Sequence, residues 1–114
     1  MGLAWLFVLG VAVQFLLAGL NVMGNESIDP HRGLGNLLTV VSILLLILAF
    51  TGRAGGRVQV LTAALAVLSV LQSVWAEIHD PAWIRSLHVL GALVIFAVAH
   101  AIARDATALS REEA

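Results

Sequence analysis

The chain has 114 residues, of which 61% are hydrophobic and only 11% charged, and its formal net charge is -1. That composition lies far outside the range of soluble domains and points to a membrane protein. The absence of cysteine excludes disulfides, thiolate metal sites and iron–sulfur clusters, and the absence of any basic run argues against a nucleic-acid partner.

All six Arg and seven Asp and Glu side chains fall outside four stretches, 3–23, 33–51, 58–76 and 86–103. Each stretch is close to the ~20 residues that cross a bilayer as a helix. None shows the apolar/polar alternation of a barrel strand, so helices are expected, at about 3–23, 31–51, 58–79 and 84–104, with a short tail over 105–114. The expected fold is all-α, one transmembrane four-helix bundle spanning residues 1–114.

The first helix has no Lys or Arg before it, so it lacks the charged n-region of a signal peptide and is expected to remain as a mature helix. It ends "VQFLLAGL", and the third helix ends "LQSVWAEI", which aligns Gln14 with Gln72 and Ala18 with Ala76. Gln14 precedes His31 by 17 residues and Gln72 precedes His88 by 16. This pattern is expected from two tandem helical hairpins related by a pseudo-two-fold axis along the membrane normal. The glutamines themselves read as interhelical hydrogen-bonding groups.

Between the second and third helices, "TGRAGGR" carries Arg53 and Arg57, and the tail carries Arg104 and Arg111. By the positive-inside bias these face the cytoplasm, which places both termini there and locates the protein in a plasma membrane, as in a bacterial inner membrane. The other two connections, with Glu26, Asp29, Arg32, Glu77, Asp80 and Arg85, then lie outside.

Ionisable groups that helices carry into a membrane are costly, so each is a functional candidate. His31 opens the second helix and His88 lies about one turn inside the fourth, at matched depth on counterpart helices. Gly35 follows His31 by four residues and Gly91 follows His88 by three, so each glycine shares its histidine's face one turn deeper. This leaves a flat space suited to a planar macrocycle held by two imidazoles, as bundles build cofactor sites from facing helices. Arg32 and Arg85 stand where they can pair with a haem propionate. Two other readings of the same histidines are a structural interface role and, with His79, an outer-face zinc or copper site. Glu77 reads as a solvated loop acid, or as a carboxylate that orients a ligand histidine or relays a proton. His100, twelve residues beyond His88, has no partner at its depth on the second helix; it reads as a packing residue, and one haem is expected rather than two.

The stretches Gln14–Leu20, His31–Gly35 and Arg85–Ala92 resemble one four-helix half of the haem A synthase family, and also a group of small bacterial four-helix membrane proteins of unassigned function. The resemblance implies His31 and His88 as haem ligands. This chain has one such bundle rather than two, and Pro30 separates Asp29 from His31. The expectation is therefore one haem b per chain, in electron transfer or haem handling rather than oxygenation. Lipid surrounds such a protein, and a homodimer, a larger redox complex or a quinone are the partners it would have. The competing expectations are a cofactor-free membrane scaffold or accessory subunit and a small four-helix transporter, the latter disfavoured because the first helix holds no acidic residue.

Overall fold

The computed structural model describes all residues from Met1 to Ala114. It contains four helices and no strand: α1 (Gly2–Gly24), α2 (Asp29–Thr51), α3 (Gly56–Glu77) and α4 (Ala82–Glu112). Each is long and apolar enough to cross a membrane. A helix of 23 residues rises about 35 Å, enough for a hydrocarbon core of about 30 Å.

Local chemistry sets the helix ends. α1 stops where Asn25 adopts a left-handed conformation with φ 55°, a residue type that tolerates this region, and the Glu26 amide turns back to the Leu20 carbonyl. α2 starts with Asp29 and Pro30 in its first turn, where proline's missing N–H leaves no bond unmade. The short α2–α3 connection needs φ of 85° at Gly55, a value glycine adopts without strain.

The helices form a ring in which each packs against two neighbours: α1 against α2 and α4, and α3 against α2 and α4. The diagonal pairs, α1 with α3 and α2 with α4, have no close backbone approach, and α2 meets α4 only through side chains. The bundle measures 48 × 25 × 18 Å. Its tight core lies mostly in the half that holds the α2–α3 connection, where Phe7, Leu45, Leu65 and Ile102 are buried among the small residues Ala4, Ala49, Ala99 and Ala103. Buried hydroxyls there are satisfied within their own helices, Ser42 donating to the Thr39 carbonyl at 2.6 Å and Thr62 to that of Gln59 at 2.9 Å. Large side chains such as Leu6, Leu16, Val40, Val67 and Leu90 point outward, as a lipid-facing surface requires.

α4 continues to Glu112 rather than ending at 104, and side-chain contacts explain why. Trp5 Nε1 donates to Thr107 Oγ1 at 2.9 Å, Ser110 approaches the Met1 sulfur, and Arg57 Nε pairs with Asp105 at 2.7 Å. The charged residues that read as a tail thus sit on one helical extension laid against the starts of α1 and α3. The Arg57 side chain is 68% exposed, so solvent screens this pair. Asp105→Asn should lower stability by less than about 1 kcal/mol, with the difference shrinking at high salt in thermal unfolding of the detergent-solubilised protein.

Candidate functional site

α2 and α4 run in the same direction, so His31 in the first turn of α2 and His88 in the second turn of α4 lie at one end of the bundle. They face each other across the diagonal. The two ring centres are 5.9 Å apart with the planes at 69°. A metal–imidazole nitrogen bond is about 2.0–2.1 Å, so with about 1.1 Å from nitrogen to ring centre on each side, one ion in line between two such rings sets the centres about 6.2–6.4 Å apart, slightly more than the spacing here. An ordinary edge-on aromatic contact covers the same range, and the distance alone does not distinguish them.

The hydrogen bonds say more. His31 Nδ1 lies 3.2 Å from the Gln14 carbonyl, and His88 Nδ1 lies 3.1 Å from the Gln72 carbonyl. A carbonyl oxygen only accepts, so Nδ1 carries the hydrogen in both rings, and in the neutral form Nε2 keeps its lone pair. This is how metal-ligating histidines are commonly oriented, with the far nitrogen fixed by a backbone carbonyl. Each bond runs between the two helices of one hairpin, α1 with α2 and α3 with α4. The pairing of Gln14 with His31 and of Gln72 with His88 in the sequence therefore reappears as one ring-to-carbonyl bond in each hairpin.

The glutamines contribute their side chains as well. Gln72 Nε2 donates to the His88 carbonyl at 2.8 Å, so residues 72 and 88 clamp each other by two bonds. Gly91 makes room for that amide: a Cβ at position 91 would collide with Gln72 Oε1 and lie 3.0 Å from Trp75. A Cβ at Gly35 would lie 2.9 Å from Gln14 Nε2. The glycines thus seat glutamines, a role their position beside the histidines did not reveal. Gln14 Oε1 and Gln72 Oε1 are buried without any hydrogen-bond partner.

A cavity of about 780 Å³ opens between the hairpins at this end, within the ~300–1,000 Å³ range typical of small-molecule and cofactor sites. His31, His88, Gln14 and Gln72 line it, with Arg32, Arg85 and Gly35. The arginines are exposed, and the deeper wall is Phe7, Val11, Leu38 and Ile95. Gly91 turns instead toward Gln72 and Trp75 and does not face the cavity. Asn36, Thr39 and Ser69 add polar lining that composition alone gave no reason to single out.

His79 does not join this site. It lies exposed in the α3–α4 connection with Nδ1 2.8 Å from the Glu77 carbonyl, and no group of three or more His, Asp or Glu side chains converges to hold a metal ion. The outer-face zinc or copper arrangement is accordingly not assembled. His100 packs edge-on against Trp5, with ring centres 5.8 Å apart, at the opposite end of the bundle.

In comparison with known proteins, residues 14–82 match a family described as a family of unknown function (DUF6220). That segment carries Gln14, His31 and Gln72 and stops before His88. No curated protein and no solved structure matches the chain.

Proposed function

The chain belongs to the DUF6220 family of unknown function, and from its paired imidazole mounts we propose that it is a b-type haem protein of the membrane, acting in electron transfer or haem handling. The observation that carries this reading is the mirrored pair of bonds from Nδ1 of His31 and His88 to the carbonyls of Gln14 and Gln72. They leave two Nε2 lone pairs, one from each hairpin, beside a cavity large enough for a macrocycle. Bound there, haem b would supply a one-electron redox centre.

The chain's own residues account for the rest. His31 and His88 would hold the iron through their Nε2 lone pairs, and two imidazole ligands would favour electron transfer or haem carriage over oxygen activation. Arg32 and Arg85, exposed at the mouth, suit the two propionates, since guanidinium binds carboxylate bidentately. Phe7, Val11, Leu38 and Ile95 form an apolar wall that would keep water from a bound macrocycle. On the positive-inside assignment, the site lies near the outer face of a plasma membrane with both termini in the cytoplasm.

The test is the visible spectrum of the purified protein, oxidised and dithionite-reduced, with haem quantified as pyridine haemochromogen. Sharp reduced bands at about one haem per chain support the reading. A protein that stays colourless after haem is supplied overturns it, and the Gln–Gly contacts would then serve as hairpin staples in a membrane scaffold. Arg85→Ala should leave the band positions unchanged and release haem several-fold faster to apomyoglobin, since a charge-assisted bond at an exposed mouth contributes modestly.

A further inference from the structure

The two imidazole mounts are alike in plan and unequal in strength. His88 is the seventh residue of α4, and its backbone lies inside the helix. Its ring donates to the Gln72 carbonyl while its own carbonyl receives Gln72 Nε2, and Gly91 lets the amide sit close enough to do so. His31 is the third residue of α2, among the first four whose amides have no partner within the helix. Ser27 Oγ accepts the Asp29 N–H at 3.2 Å, but the Gln14 side chain makes no bond to the His31 backbone. One bond of 3.2 Å, from the ring to the Gln14 carbonyl, is what orients His31.

The difference originates in the sequence. Gly91 follows its histidine by three residues and Gly35 by four, and the glutamine spacing is 16 in one hairpin and 17 in the other. The same amide therefore meets the opposing helix one residue out of step. Helix ends also open at a fraction of the global unfolding free energy, whereas interior turns do not.

We propose that His88 is the fixed imidazole of the site and His31 the releasable one, so that a small neutral ligand can take the place of His31 on the α2 side of the cavity. The consequence for ligand binding rests on the haem reading; the inequality of the two rings does not. A site built this way switches between a closed form for electron transfer and a form open on one face. Ligand exchange of this kind moves no electrons and needs no reductant beyond the one that sets the haem oxidation state.

Two measurements test it. In haem-free protein labelled with ¹⁵N-histidine, the Nδ1–H of His88 should exchange with water at least tenfold more slowly than that of His31, and Gln72→Met should remove most of that advantage. Equal or reversed exchange in the wild-type chain overturns the proposal even if the variant fails to fold. In haem-loaded, dithionite-reduced protein, carbon monoxide should bind wild type slowly. His31→Ala should retain haem and bind carbon monoxide at once, while His88→Ala should lose haem on size exclusion. Wild type that never binds carbon monoxide, or the opposite order of haem retention, overturns the releasable role of His31. A colourless protein would remove the haem reading alone, with the exchange order still deciding which ring is fixed.

Discussion

His31→Ala and His88→Ala should each abolish six-coordinate low-spin haem, whereas His100→Ala should leave the spectrum intact. Changing a group that only orients a metal ligand costs about 10–100-fold in affinity, and removing the ligand itself should cost more. His88→Ala should have the larger effect on haem retention, because the remaining ring is the one held by a single bond at a helix start. His100 follows His88 by twelve residues, about 18 Å along the helix, and its ring rests against Trp5. It has no route to the cavity. Purifying the three variants with haem supplied, and recording reduced spectra with haem-to-protein ratios, checks all three outcomes; a lost spectrum in His100→Ala alone would refute the ligand assignment.

The legible part of this protein was what hydropathy and repetition encode. Four uncharged stretches of near-spanning length gave four helices, since charge is excluded from the hydrocarbon far more strictly than any side chain is required there. The alignment of Gln14 with Gln72 placed His31 and His88 as counterparts, and the fold brings their rings to 5.9 Å. What spacing could not show was who faces whom across a hairpin. Gly35 and Gly91 stand on their histidines' faces, yet the space they free is taken by glutamine amides from the neighbouring helix. Helical periodicity describes one helix at a time, and the rotation of its neighbour is fixed only by packing. The α4 extension was hidden for a related reason. Arg104 and Asp105 look like the end of a span, and only the partners supplied by α1 and α3 show the helix running on to Glu112.

Gly91→Ala should destabilise the bundle by about 1–3 kcal/mol, the range for a methyl forced into a packed site, with up to about 1 kcal/mol regained from the better helix propensity of alanine. The new methyl would run into Gln72 Oε1 and, at 3.0 Å, the Trp75 ring, neither of which can withdraw freely: the Gln72 amide is held by its bond to the His88 carbonyl, and the indole is partly buried. Gly35→Ala should be close to neutral, because its methyl would meet only the far end of the Gln14 side chain, which can swing away. Thermal or SDS unfolding of both variants in the same detergent gives the order directly, and a double-mutant cycle assigns its cause. If the clash is with the amide, Gln72→Ala in the Gly91→Ala background should restore part of the loss, with a coupling of about 0.5–3 kcal/mol between the two positions. Additive effects would assign the strain to Trp75 instead. In that event Gly91 would serve helix packing alone, and the clamp on His88 would rest on the two hydrogen bonds without a steric seat beneath them.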